Sequence, residues 1–278
     1  MLYARSVQDE DLHAIAARLV QVPGVVAVVL GGSRARGTHR PDSDIDLGLY
    51  YRGHLAVDEL RTLAREMTGE PTEVTEPGGW GPWVDGGGWL TVDGRRVDWI
   101  YRDLDRVHRI WRGCREGRYE IGVQVGHPLG FYSHAYVGEV ALCRILADPG
   151  GELAALREQT ADYPPALRAA LIRGLWESDF ALMIARYGAA GRDPVYTAGA
   201  LFRAIGVACH ALHAADGAWL INEKGMVASA ARLPSAPPGF GDRAQSLLAA
   251  VGRTPEEITH TIDEAARLIA EVRAACGL

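Results

Sequence analysis

Residues 25–51 read VVAVVLGGSRARGTHRPDSDIDLGLYY, and this stretch decides how the first half of the chain folds. Val25 to Leu30 is a β-branched apolar run set between Pro23-Gly24 and Gly31-Gly32, the pattern of a buried strand. Asp44 to Tyr51 alternates acidic or small residues with Ile45, Leu47 and Leu49, which predicts a second strand. The period of two puts Asp44 and Asp46 on one face, about 7 Å apart at their Cα atoms. Between the strands, Gly31-Gly32-Ser33 and an arginine-containing turn offer unhindered N–H groups, a hydroxyl and guanidinium donors, a set suited to polyphosphate.

Working outward, Leu12, Ile15, Ala16, Leu19 and Val20 recur at helical spacing, with Ser6 or Asp9 as the expected cap and Pro23-Gly24 as the stop. A helix is expected over Val57 to Met67. Arg95 to Tyr101 reads as a further strand with Val97, Trp99 and Tyr101 on one face. Before it lies PGGWGPWVDGGGW, residues 77–89, whose six glycines and two prolines predict a loop. Its Trp80, Trp83 and Trp89 either stack on a ligand or pin the loop to its own domain. The first half is therefore α/β.

From about residue 150 the pattern turns helical. Ala166 to Tyr187 and Val195 to Ala214 read as long helices, and Thr254-Pro255-Glu256-Glu257 opens a last one with a capping box and a proline at its first position. Ile258, Ile262, Ala265, Ile269 and Val272 trace one stripe along it, as in a helical bundle. Residues 103–150 form a bridge ending at Asp148-Pro149-Gly150-Gly151. The expected domains are accordingly 1–150 and 151–278.

The chain has 278 residues, 48% of them hydrophobic and 23% charged, which is a globular and not a disordered composition. A net charge of -6 counts against a duplex nucleic-acid binder. Of 29 basic residues only Lys224 is a lysine. Cys114, Cys143, Cys209 and Cys276 are far apart and suggest neither a zinc ribbon nor a disulfide framework, so a reducing, cytoplasmic setting is expected. No signal peptide or membrane association is expected from the acidic N-terminal stretch.

Two carboxylates on one strand face can grip a hard divalent cation, and Mg²⁺ prefers a few carboxylates together with water and phosphate oxygens. Asp98, inside the apolar RRVDWIY segment, is the candidate third acid, because an unpartnered carboxylate there is costly and metal coordination compensates it. Singly, Asp44 and Asp46 read better as solvated acids of an edge strand, and Asp98 as a partner of Arg95 or Arg96. The combination is what carries specificity.

Gly32-Ser33, ten intervening residues, Asp44-x-Asp46 and a later strand acid, Asp98, resemble the signature of the nucleotidyltransferase superfamily of the DNA polymerase β type. The layout is most similar to the antibiotic nucleotidyltransferases, the kanamycin and lincosamide enzymes. The resemblance covers residues 25 to 101, while WLINEKGMV, residues 219–227, is similar to an Asn-Glu-Lys segment of the second domain of such proteins. It implies an α/β (α+β) nucleotidyltransferase domain with a mixed sheet, followed by an all-α helical-bundle domain. It also implies that Gly32, Ser33, Arg36 and Lys224 hold the triphosphate, and that Asp44, Asp46 and Asp98 bind two Mg²⁺ ions. Asp98 is then either a ligand of the second metal or the general base. In some relatives the base comes from a helix of the second domain, where Glu177 and Asp179 are the candidates; Arg173, four residues earlier, is the ordinary partner for Glu177. Lys224 reads equally as a solvated surface charge.

Other signals are weaker. His210 and His213 share a helix face without completing a metal site. His127, Tyr132, His134 and Tyr136 suit either a ligand cleft or packing. The expected activity is Mg²⁺-dependent transfer of NMP, AMP from ATP, to a hydroxyl of a small molecule such as an aminoglycoside, with release of pyrophosphate. The partners expected are the nucleotide and that acceptor, with the protein a monomer or homodimer. The alternatives are an enzyme modifying tRNA or a protein, and a nucleotide-binding module without turnover.

Overall fold

A computed structural model describes residues 9–40 and 42–278, so the Ser6 cap expectation lies outside the described residues. In chain order the elements are α1 (Asp9–Leu19), β1 (Val25–Leu30), α2 (Gly32–Ala35), β2 (Ile45–Tyr51), α3 (Val57–Thr68), β3 (Gly87–Val92), β4 (Arg95–Asp103), α4 (Leu104–Arg115), β5 (Ile121–Gly122), β6 (Phe131–Tyr132), α5 (Ala135–Leu142) and β7 (Arg144–Ala147). Helices follow: α6 (Glu152–Gln159), α7 (Pro165–Arg173), α8 (Trp176–Gly191), α9 (Pro194–Ala215), α10 (Met226–Ala230), α11 (Phe240–Ala249) and α12 (Pro255–Ala275). By packing the chain divides into two units. The first runs to Arg112 and takes in Gly122–Gly126 and Tyr136–Ala161; the second holds Gly113–Ile121, His127–Ala135 and Asp162–Leu278.

The first unit is a mixed five-stranded sheet in the order β3-β4-β2-β1-β7. Strands β2 and β4 run parallel, and the β1–β2, β1–β7 and β3–β4 pairs are antiparallel. Alternation sorts its faces. Ile45, Leu47 and Leu49 of β2 and Val97, Trp99 and Tyr101 of β4 are buried in one core with Leu12, Ala16 and Leu19 of α1 and Leu60 and Leu63 of α3. The intervening residues, Asp46 and Gly48 on β2 and Asp98 and Ile100 on β4, lie on the other face and are half-buried. Farther along that face the sheet is covered by α5: Arg102 is buried and its guanidinium makes two bonds, 2.5 and 2.7 Å, to Glu139. Arg102 also lies over the Tyr136 ring at 5.3 Å.

Strand β3 corrects the sequence reading, which left residues 77–89 as loop to their end. Gly87, Gly88 and Trp89 belong to the sheet. The cause is the turn Asp93-Gly94, in which both residues have positive φ (+49° and +73°), the two-residue geometry that matches the twist of a hairpin. That pair of residues was the legible signal.

The second unit is helical. The long helix expected over 166–187 is two, α7 and α8, separated at Gly174-Leu175. Small residues let α8 and α9 approach closely: a Cβ on Gly188 would stand 2.3 Å from Thr197 Oγ1, and the Ser178 hydroxyl donates to the Ala204 carbonyl at 2.9 Å. Helix α9 is long and apolar enough to cross a membrane, yet it is the core helix of the bundle, with Ala204 to Ala214 buried throughout. On α12 the expected stripe is buried at every position, and the Thr254–Glu257 capping box is present. All four cysteines are free thiols.

Candidate active site

The site is built on the half-open face of the first sheet. Asp46 and Asp98 are register partners across the parallel β2–β4 pair. Trp89 is the partner of Asp98 across the antiparallel β3–β4 pair. On the other side of Asp46, the Gly31 N–H donates to the Asp46 carbonyl at 2.8 Å. One row therefore runs Trp89, Asp98, Asp46 and Gly31-Gly32, crossing β3, β4 and β2 to the turn that follows β1. Register partners sit on one side of a sheet, so the side chains of this row share a face.

Gly32 is fixed by its neighbour. It has φ +60°, and a Cβ built there would fall 1.7 Å from Asp46 Oδ2. The Asp46 carboxylate thus occupies the space above a bare backbone, against the start of the segment expected to hold phosphate. Ser33 follows at half-exposure in the short α2. Arg36 is exposed and tethered beside the same glycine, its Nε donating to the Gly32 carbonyl at 3.1 Å.

Arg34 has a different job from its neighbours. Its Nε and Nη2 donate to the Ser43 carbonyl at 3.2 and 2.7 Å, and Nε also to the Asp44 carbonyl at 3.1 Å. The guanidinium clamps the approach to β2 onto α2, which fixes where the two strand acids begin.

Asp44 lies just before β2, and its Oδ1 pairs with Arg96 Nε at 2.5 Å. Arg95 and Arg96 were the ordinary partners expected for Asp98, and the structure pairs Arg96 with Asp44. Among the described residues no three His, Cys, Asp or Glu side chains are gathered as a metal cluster. The donor chemistry nonetheless fits Mg²⁺. Asp46 and Asp98 supply two carboxylates from register-paired strand positions, with that of Asp46 lying against the bare backbone of Gly32, and this ion takes one or two carboxylates plus phosphate and water. Asp44 would join on release from Arg96.

The remaining candidates lie in the second unit. Lys224 is exposed, and its N–H donates to Asn222 Oδ1 at 2.6 Å. Glu177 is held by Arg203 through bonds of 2.6 and 3.0 Å, not by the Arg173 expected from spacing, and Arg203 also donates to the Leu129 carbonyl at 2.6 Å. Asp179 pairs with Arg273 at 2.9 Å. His213 bonds the Cys209 carbonyl and Ser229, and His210 stacks on Tyr132 at 3.7 Å, so both serve packing. His127 pairs with Glu223 at 3.0 Å; Tyr132 and His134 are buried, as is Tyr136 in the first unit.

Sequence reasoning named Trp89 among the loop tryptophans but carried no signal for its place beside Asp98. Trp89 is 68% exposed and stacks on Trp80 with ring centroids 4.5 Å apart. Trp83, by contrast, is packed against Gly122, where a Cβ would stand 1.7 Å from its Nε1. Of the two roles expected for these tryptophans, Trp83 takes the packing one, while Trp89 stands exposed on its stack with Trp80.

Residues 12–74 match the family model described as Nucleotidyltransferase domain, so the first unit carries such a domain, with the β1–β2 acids inside the matched stretch. Among solved structures, the chain is similar to a nucleotidyltransferase-like protein from Exiguobacterium sibiricum, at 11% identity and a TM-score of 0.47 over 94% of this chain and 74% of that one. No curated protein matches the chain.

Proposed function

We propose that this protein is a Mg²⁺-dependent nucleotidyltransferase that moves NMP, AMP from ATP, onto a hydroxyl of a small molecule and releases pyrophosphate. The observation that carries this reading is the register pairing of Asp46 with Asp98, beside a glycine that only a missing Cβ makes compatible with the Asp46 carboxylate.

In this reading Gly32 and Ser33 bind the leaving β and γ phosphates by N–H and hydroxyl, and Arg36 pairs with their charge. Asp46 and Asp98, joined by Asp44, would hold Mg²⁺, which neutralises charge on the phosphate oxygens when bound. The acceptor oxygen attacks the α phosphorus as the α–β anhydride bond breaks, and its proton passes to Asp98 where that acid serves as the general base and not as a metal ligand. The Arg34 clamp keeps the acid pair in register with Gly32 throughout. The acidic balance of the chain suits a cationic acceptor of the aminoglycoside kind.

Pyrophosphate release is the test, measured with Mg²⁺ and each of the four NTPs against aminoglycosides, lincosamides, bulk tRNA and no acceptor. Release that needs a small acceptor and disappears in Asp46→Ala supports the proposal. Release that persists in Asp46→Ala overturns the mechanism, and release only with tRNA overturns the small-molecule acceptor.

A further inference from the structure

The exposed tryptophan at the end of the acid row is unexplained by the chemistry above. Trp89 stands two strands, about 10 Å, from the strand of Asp46. Its ring is not a loose surface residue. It stacks on Trp80 at 15° between ring planes, and Trp80 lies over Gly87, where a Cβ would come within 3.0 Å of its Cη2. The segment carrying Trp80 is tied down by buried Gln124, whose amide donates to the Trp80 carbonyl at 2.7 Å and whose Oε1 accepts from the N–H groups of Trp83 and Val84 at 3.0 Å. Thr75 Oγ1 accepts from the Gly87 N–H at 2.9 Å, and Gly78 N–H donates to Asp85 at 3.0 Å. A rigid indole face is thereby held open beside Asp98, at the cost of leaving a large apolar ring in water.

We infer that the Trp89–Trp80 stack is the acceptor platform: it takes the flat face of a hydroxyl-bearing ring that also carries an ammonium group, and delivers that hydroxyl to Asp98. The inference rests on the proposed transfer reaction and specifies its acceptor subsite. In-line displacement requires the attacking oxygen and the departing pyrophosphate on opposite sides of the α phosphorus. With the pyrophosphate at Gly32-Ser33, one end of the row, the attacking hydroxyl enters from the other end, over β4 and β3. Trp89 is the side chain standing there. An indole face attracts a cation as well as the C–H face of a ring, which selects an aminated ring over a neutral chain. Pre-organisation by Trp80 and Gln124 spares the ordering cost that a mobile aromatic would carry.

The test is direct binding, by calorimetry, of kanamycin, streptomycin, lincomycin and Mg²⁺–ATP to the full chain and to Trp89→Ala, Trp89→Phe and Asp46→Ala. The expected result is that at least one of the three ring compounds binds the unaltered protein and Asp46→Ala alike, weakens at least tenfold in Trp89→Ala and recovers in part in Trp89→Phe, while ATP affinity stays unchanged in both Trp89 variants. If no ring compound depends on Trp89, the platform is overturned. Loss of ATP affinity in Trp89→Ala in place of a ring compound also overturns it, since the indole would then hold the nucleobase. Failure of ATP to bind even the unaltered protein strikes at the transfer reaction itself, whereas ring binding still reports on the platform. Because Trp89 is exposed, its truncation leaves no cavity, and an unchanged thermal midpoint verifies the fold of the variant.

Discussion

Asp46 and Asp98 come from strands separated by residues 52–94, yet they are direct register partners across the parallel β2–β4 pair. Neither acid makes a site alone; adjacency gives two carboxylates within reach of one cation. Asp46→Asn and Asp98→Asn should each lower turnover at least about 100-fold, the scale of losing a proton acceptor or a charge-stabilising group. Pyrophosphate release measures the loss, and an unchanged circular dichroism spectrum shows that the fold is intact. Wild-type turnover in either variant removes that acid from the chemistry.

Gly32 is a sharper test of geometry. Alanine there meets both a left-handed φ of +60° and the Asp46 carboxylate 1.7 Å away. Gly32→Ala should therefore displace Asp46, lowering activity about as much as Asp46→Asn does, with a stability loss of roughly 1–2 kcal/mol in urea denaturation. Gly37, with φ +67° but open space around its Cβ position, is the control. Gly37→Ala should lose some stability and keep its activity.

Arg96 competes with a cation for Asp44. Removing a guanidinium 2.5 Å from the carboxylate leaves Asp44 available as an oxygen ligand. Arg96→Gln should tighten Mn²⁺ binding about two- to fivefold, the range expected for an exposed ion pair. Electron paramagnetic resonance titration of free Mn²⁺ reads this directly, and weaker binding in the variant would show that Arg96 supports the site.

Stability of the second unit should depend on pH through its buried histidines. Both ring nitrogens of His134 and the Nδ1 of His210 are buried without a hydrogen-bond partner among the described residues, with Tyr132, Tyr119, Trp219 and His213 around them. Burial lowers the His134 pKa from 6.5 to about 4 and depresses His210 as well. Between those pH values the unfolded chain binds protons that the folded chain refuses, so stability falls as pH falls through 6.5 toward 4 and is unaffected above it. His134 alone should account for about 2 kcal/mol between pH 7 and pH 5. Urea midpoints at the two pH values measure it, and His134→Phe should flatten the dependence.

The start of α12 can be tested separately. Thr254 accepts from the Glu257 N–H at 3.2 Å and Glu257 reaches back to the Thr254 N–H at 3.1 Å. Thr254→Ala should lower the thermal midpoint by about 2–4 °C without altering nucleotide binding.

Strands β1, β2 and β4, helix α3, the capping box and the buried stripe of α12 were legible because each is a local pattern: an apolar run with its breakers, a period of two, or a cap three residues from its partner. The same locality placed Asp44, Asp46 and Gly32 in one turn of chain. Strand β3 was missed because a glycine-rich stretch has little propensity of its own, and the Asp93-Gly94 turn and pairing with β4 made it a strand. The break between α7 and α8 went unread because apolar spacing continues through Gly174.

What the sequence by itself determined is therefore the locally patterned elements, β1, β2, β4, α3 and α12, and which acids stand as candidates, since hydrophobic periodicity and turn chemistry act over a few residues. Only the tertiary structure decided the partners. It set Asp98 beside Asp46 and Trp89 beside Asp98, gave Arg96 to Asp44 and Arg203 to Glu177, turned Arg34 inward as a clamp, and covered one end of the acid-bearing face with α5 while leaving the other open. Strand order and register are choices between distant segments. They are settled by burying Leu47, Trp99 and their neighbours in one core, which leaves the intervening acids no other face to occupy.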